Sequence, residues 1–493
     1  MGHLSTEATS PARPRRWLLA GVTAVALAAT PLVTAGAALA ATPFVTASPA
    51  RAAVAAGHTE TGLYGSTDPT YDGVYRQSLA ILGLHAAGLT PRPEAVMWLL
   101  RQQCADGGYS SYNPDTGKPC PAYDSTTFTG GEDTNATAVA VQALLALDRT
   151  KVAKRAATWL TTLQNADGGW EYTADANGGD SDPNSTGLVM TALTAAGVKA
   201  KDAPKSGVEY VASMQVGRAD FAGTPAADGG GIATPWQPTT PDVLATVQAV
   251  PGITGANLLT VPTGSPWQDG VGAVPESVPA AGAAGVSHWA TTWLGAQVDA
   301  AAVTASNAPW AILSFAWDRR GETVAHGLYA NQIAGQVPAD SPGANGQAAL
   351  AAAVLGKRSD VATYAKNIAA TLQRDTTGPV TAVVAPRGAK KAASWKKLDI
   401  TAADAGSGVA KVKVAVSQKR AGTWYAYNGT TWKKTKNGHA RYWLTAHTRS
   451  DDSWRLKVPG LTKGKLVVRA KATDAADNTG KAAKATQRLT KKK

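Results

Sequence analysis

Cysteine is nearly missing from this 493-residue chain, which carries only Cys104 and Cys120 with fifteen residues between them. Outside the cytoplasm such a pair reads as one disulfide, and the loop-entropy model gives that link about 3 kcal/mol. A thiolate metal site needs histidines close by, and the nearest, His85, stands at no ligand spacing. Long apolar runs are also missing once the amino terminus is past, so no later segment is expected to cross a bilayer. Within the amino terminus it is charge that is absent, with no charged residue between Arg16 and Arg51. Arg13, Arg15 and Arg16, then an Ala/Leu/Val/Thr run ending in Ala38-Leu39-Ala40, read as a secretory signal over residues 1–40, with an uncleaved anchor as the rival reading. The expected location is secreted or cell-surface associated.

Charge is unevenly divided along the rest. From Asp375 onward there are 26 Lys and Arg against 7 Asp and Glu, leaving 22 against 28 ahead of it. A composition shift of that size marks a domain boundary, so the expected organisation is a linker at 41–60, one domain at 61–374 and a second at 375–490. A basic tail on a mildly acidic body suggests an anionic cell-wall polymer as partner, the plainer alternative being that the charge only keeps the protein soluble. No nucleic-acid partner is expected.

The first domain repeats itself. Trp98-Leu99-Leu100-Arg101-Gln102-Gln103 leads to Asp106-Gly107-Gly108-Tyr109, and Trp159-Leu160-Thr161-Thr162-Leu163-Gln164 leads to Asp167-Gly168-Gly169-Trp170. Each is followed by a matched segment, Asp133-Thr134-Asn135-Ala136-Thr137-Ala138 and Asp182-Pro183-Asn184-Ser185-Thr186-Gly187, opening a helical run. Asp133 or Asn135, and Asp182 or Asn184, suit helix N-caps, while each Gly-Gly lets the chain reverse with positive φ. The repeat is degraded in the Gly/Pro-rich stretch from Gly217 to about Ser287, which includes Asp228-Gly229-Gly230-Gly231; Thr246-Val247-Gln248-Ala249 still echoes Val141-Gln142-Ala143 there, and helical periodicity then returns to Gln373. Five or six helix hairpins result. Such hairpins cannot bury both faces alone, so they stack as an open solenoid or a closed ring.

Gln164-Asn165-Ala166-Asp167-Gly168-Gly169-Trp170, with the weaker Gln103 to Tyr109, resembles the glutamine–tryptophan repeat of the terpenoid-cyclase and protein-prenyltransferase superfamily. The resemblance covers roughly 61–373 and implies a closed all-α, α/α toroid with inner helices around a central cavity. It also implies that ligand-binding groups, Asn135, Asn184, Trp170 and Tyr172, gather where the inner helices begin; the aromatics read equally well as packing. Class II cyclases of the superfamily protonate an alkene or epoxide with the middle acid of a D-x-D-D-T-A motif. Anchored on Thr137-Ala138 or on Thr186-Gly187, this chain holds Asn135 or Asn184 at that acid. An amide has no acidic proton to give, which leaves Asp133, Asp180 and Asp182 as weaker general-acid candidates. Glu132, Asp133, Glu171 and Asp182 supply the carboxylates that a carbohydrate-cleaving toroid would need. The zinc ligands of the prenyltransferases and the Gly-Glu-Gln thioester of complement-like relatives have no counterpart. Corrinoid carriers of the superfamily clasp their cofactor between an α/α barrel and a β-domain, which makes a corrinoid or another apolar small molecule the implied ligand.

After Asp375 the period falls to two. Val412, Val414 and Val416 alternate with Lys411, Lys413 and Ala415, as do Val468, Ala470 and Ala472 with Val467, Arg469 and Lys471. Asn428-Gly429 signals a hairpin, expected to pair Tyr425 with Trp432. Asp404-Ala405-Gly406-Ser407-Gly408-Val409 and Asp474-Ala475-Ala476-Asp477-Asn478-Thr479-Gly480 resemble bacterial surface Ig-like modules, so the tail is expected to be an all-β Ig-like sandwich. The fold expected is thus multidomain. The expected function is a non-catalytic ligand- or surface-binding protein, with a terpene-cyclase-like or carbohydrate-active enzyme as the alternative.

Overall fold

The computed structural model describes residues 62–490 except 67, 69–72, 111, 114, 117–118, 125, 127–129, 174–179, 201–202, 220–228, 261–266, 274, 276, 405 and 450–452. The expected signal and linker lie outside the described residues. No helix among those described is long and apolar enough to cross a membrane.

Twelve α-helices occupy the first part of the described chain and alternate between two kinds. The odd-numbered ones are α1 (Gly73–Ala86), α3 (Thr134–Ala146), α5 (Pro183–Ala196), α7 (Val243–Ile253), α9 (Ala308–Asp318) and α11 (Pro342–Val354). The even-numbered ones are α2 (Pro93–Arg101), α4 (Thr150–Thr162), α6 (Gly207–Ser213), α8 (Ala283–Asp299), α10 (Glu322–Gln332) and α12 (Arg358–Ala370). In α12 only Val361, Tyr364, Ala365 and Ile368 are buried, the single stripe of an outer helix. In α3 every residue from Ala136 to Leu144 is buried, and the same holds for Arg76–Leu84 in α1, Ala245–Ile253 in α7 and Ala308–Ala316 in α9. Nine residues make two and a half turns, so these helices are covered on every side.

The odd helices pack in a cycle. α1 lies on α3, α3 on α5, α5 on α7, α7 on α9, α9 on α11, and α11 returns to α1. Small residues set the spacing: a Cβ on Gly83 of α1 would stand 2.7 Å from Gly346 Cα of α11, and one on Gly187 of α5 would stand 2.1 Å from Gln248 O of α7. A short backbone seam ties the two ends of the helical region. Gly62 N donates to Gln373 O at 2.6 Å, Gln373 N to Leu63 O at 2.9 Å, and Gly65 N to Thr371 O at 3.1 Å.

Burial on every side through the middle of α1, α3, α7 and α9 leaves their inward faces packed there. The central cavity that the resemblance implies is therefore filled at that level. Leu258, in the segment after α7, contributes: it is buried, and its backbone N–H reaches across to Gln142 Oε1 of α3 at 2.7 Å.

β1 (Ala233–Thr234) and β2 (Gln237–Pro241) form a small hairpin within the helical region, and the remaining strands follow α12. β3 (Val380–Val384), β4 (Lys397–Ala403), β10 (Trp454–Lys457) and β9 (His447–Thr448) make a four-stranded antiparallel sheet in the order β3-β4-β10-β9. β5 (Val409–Arg420), β6 (Thr423–Tyr427), β7 (Trp432–Thr435), β11 (Gly464–Asp474) and β12 (Ala483–Leu489) make the second in the order β12-β11-β5-β6-β7, with β8 (Leu444–Thr445) beside β5. Val412, Val414 and Val416 join Trp395, Ile400, Leu466 and Val468 in one core, as the alternation predicts. The hairpin departs from expectation: Tyr427, not Tyr425, pairs with Trp432, and Tyr425 faces Lys434. The loop is four residues long because Asn428 Oδ1 accepts from Thr430 N at 3.1 Å and Thr431 N at 2.8 Å, closing an Asx turn rather than a two-residue one.

Candidate functional site

The residues that repeat in sequence repeat in bonding. Gln103 Nε2 donates to Gly107 O, Gln164 Nε2 to Gly168 O and Gln215 Nε2 to Gly230 O, at 3.1, 3.0 and 2.8 Å. Each turn then hands its next N–H to a threonine in the following odd helix: Tyr109 N to Thr137 Oγ1 at 3.0 Å, Trp170 N to Thr186 Oγ1 at 3.0 Å, and Ile232 N to Thr246 Oγ1 at 2.9 Å. The third unit, degraded in sequence, is intact in geometry; Ile232 simply stands where the first two carry an aromatic. At the seam Gln77 of α1 does both jobs. Its Oε1 accepts from Tyr64 N at 2.9 Å, and its Nε2 donates to Gly62 O at 2.9 Å and Ala95 O at 3.0 Å.

Asp133, Asp182 and Asp242 are the N-caps of α3, α5 and α7. Asp133 Oδ1 accepts from Ala136 N at 2.6 Å, Asp242 Oδ1 from Ala245 N at 2.7 Å, and Asp182 Oδ1 from Asn184 N at 2.8 Å while its Oδ2 accepts from Ser185 Oγ at 2.6 Å. Asp242 escaped sequence analysis, although Asp-x-x-Ala-Thr in Asp242–Thr246 repeats Asp133–Thr137. Burial pushes the Asp133 carboxyl up to about 6, against the backbone N–H groups and the Tyr172 hydroxyl that favour its charge. Burial also raises Asp182, to which the charge of Asp242 adds.

The other expected site residues divide. Asp180 is exposed beside this row of caps. Trp170 is 1 % exposed and its Nε1 donates to Leu160 O at 2.8 Å, so it packs. Tyr172 meets Tyr112 edge-on, ring centroids 6.4 Å apart, with its hydroxyl near the Asp133 carboxyl. Asn184 Nδ2 donates to Gln248 Oε1 at 3.3 Å, whereas Asn135 Oδ1 is buried with no hydrogen-bond partner among the described residues. Glu171 is buried, and Glu132 lies against Asp106, whose charge adds to burial in pushing Glu132 up to about 7. Cys104 and Cys120 form the expected disulfide.

A cleft of about 770 Å³ lies at the far ends of α1 and α3, where β-region residues face the helices. His85, Leu89, Val96 and Met97 line one side, Leu147, Asp148 and Arg149 another, and Asp474, Ala475 and Asp477 the third. Sequence analysis missed it because its walls come from distant parts of the chain, and the Asp474–Gly480 motif in one of them reads as a turn. Its volume suits a drug-sized apolar ligand. Beside it Arg101 donates to Gly406 O, and the carboxylates of Asp375, Asp404 and Asp474 come within 4.8 Å of one another. Those carboxylates hold loops: Asp375 Oδ2 accepts from Ser407 N at 2.7 Å, Asp404 Oδ2 from Gly408 N at 2.7 Å and Asp474 Oδ1 from Asn478 N at 2.7 Å.

No curated protein matches the chain. Residues 128–232, which hold the first two Asp caps, both asparagines and, of the three turn-to-threonine bonds, the one from Trp170 N to Thr186 Oγ1 complete, match the squalene-hopene cyclase C-terminal domain, and this part of the helical region is squalene-cyclase-like.

Proposed function

We propose that the protein is an exported, non-catalytic binding protein: a closed α/α toroid of squalene-cyclase type, joined to a basic Ig-like module that associates with an anionic envelope polymer. The cycle of odd helices and the backbone seam support the closed ring, and the two facing antiparallel sheets support the module. The observation that carries the reading is the packed interior of the ring. A cyclase must enclose a long apolar substrate next to a strong acid, and here the centre is occupied by side chains while amides stand at the acid positions. The ligand site is the cleft at the far ends of α1 and α3, and its ligand a drug-sized apolar molecule. Native mass spectrometry of the purified chain, with Val96→Trp as the filled-cleft control, tests this: a copurified small molecule lost in the variant is expected, and one retained in it overturns the assignment.

The raised carboxyl of Asp133 favours a second reading, a cyclase-like acid. Incubation with squalene and its epoxide separates the two, because the binding reading expects no cyclic product, whereas turnover abolished by Asp133→Asn reverses it.

A further inference from the structure

The two sheets of the β region treat charge differently. On the four-stranded sheet Arg455 sits opposite Asp399, and the pair closes at 2.6 Å, the usual cross-strand complement. On the six-stranded sheet the residues facing away from the core line up as cation against cation. Arg488, Lys465 and Lys419 are opposite one another across β12, β11 and β5; Lys484 is opposite Arg469; and Lys471 is opposite Lys413. The strands of this sheet contain one acid, Asp474, which is buried on the other face. Among the described residues none of these seven cations has an ion-pair partner. Like charges directly opposite destabilise a sheet, so this face carries a repulsion that no ion pair among the described residues relieves.

Aromatic rings flank the cations. Trp424 is opposite Lys419, and Lys471 Nζ lies 4.8 Å from the Trp443 ring. The segment before β8 crosses this face, held by Arg469 donating to Gly438 O at 2.6 Å and Ser417 Oγ to His439 O at 3.3 Å. That segment buries Ala415, Ser417 and Val467 in the middle of the face, and the surface left around it is cationic and edged by rings, with lysine as the commonest cation. Lysines act as point charges and do not demand bidentate geometry, which suits a flexible chain of evenly spaced anions. The Cys104–Cys120 disulfide fits an extracytoplasmic setting, where such chains are sugar or polyol polymers bearing phosphate or carboxylate.

We infer that the outer face of the six-stranded sheet is the docking surface for a linear anionic sugar or polyol polymer of the cell envelope. This rests on the reading that the basic region meets such a polymer and assigns that role to one face.

The test uses the full mature chain, with poly(glycerol phosphate) and polygalacturonate as probes and duplex DNA as competitor. The face variant Lys413→Glu/Lys465→Glu/Lys484→Glu is compared with Lys390→Glu/Lys391→Glu/Lys396→Glu, which changes net charge equally at other exposed sites. Expected is at least tenfold weaker binding of one or both polymers by the face variant, near-native binding by the control, and a shallower dependence on salt in the face variant. Which polymer binds identifies phosphate or carboxylate as the anion. The face variant also builds complementary pairs opposite Lys471, Lys419 and Arg469, so its melting temperature is expected to hold or rise, which separates lost binding from lost folding. Equal losses in both variants overturn the face assignment but leave the polymer reading standing. No binding by the unaltered chain overturns that reading itself, and tighter binding to DNA than to either polymer overturns the choice of partner.

Discussion

In the helical region the recurring glutamines, threonines and capping aspartates are bonded to backbone, whereas the outer face of the six-stranded sheet holds cations with no ion-pair partner among the described residues. The glutamines, threonines and capping aspartates of the first region hold turns to helices, so a recurring polar residue there is evidence of construction. On the sheet the aligned lysines and arginines work against the fold, so they are evidence of something outside it. A motif that looks catalytic and a face that looks merely soluble thus exchange roles once the bonding is traced.

The comparison can be broken most severely at the ring contacts. Gly187→Val places a branched side chain against Gln248 O and the α7 backbone, and a loss of about 3 kcal/mol or more is expected, read as a lowered denaturation midpoint. Unchanged stability would mean that α5 and α7 are not in backbone contact. Cys104→Ser with Cys120→Ser is expected to cost about 3 kcal/mol, checked by thermal melting with and without reductant.

Asp133 sharpens the question of construction against catalysis. Its folded carboxyl, near 6 against an ordinary value of 3.8, binds a proton more tightly than in the unfolded chain. The resulting stabilisation is present in acid and is lost as pH rises from about 4 through 6, on the order of 2–3 kcal/mol. Asp133→Asn, which keeps a good cap, is expected to flatten that slope and to match or exceed the native protein at pH 8. A native melting curve with no such slope sinks the assignment. A smaller effect is expected at Thr186→Val, which leaves Trp170 N–H buried without its acceptor and costs about 2 kcal/mol, while Thr186→Ser restores most of it. Were the threonines decorative, the two variants would melt together.

Much of this architecture is written locally. The helix periods, the caps at Asp133 and Asp182 and the alternation of Val412–Val416 depend on near neighbours, and twelve helices make six hairpins among the described residues where five or six are expected. What depends on partners far along the chain is not legible. The third unit hides because twelve residues separate Gln215 from Asp228 and Ile232 replaces the aromatic, although Thr246 keeps the bond. Gln77 gives no sign in sequence that it serves two backbone groups at a seam. The packed centre depends on how six helices meet, and the cleft on where the β region lies, neither of which a repeat encodes. The expected Tyr425–Trp432 pairing fails because Asn428-Gly429 is only half of the turn, and Tyr427 takes that place.

The seam has a consequence in time. Gln373 Nε2 donates to Gly65 O across 308 residues, so the first helix of the ring leaves the ribosome with the flank meant for α11 still bare. Through most of synthesis the molecule is an arc with a greasy open side, and its stickiness ends only when the last hairpin slots in. Chaperones therefore meet the open arc, and a shortened chain that stops before α11 is expected to clump rather than fold.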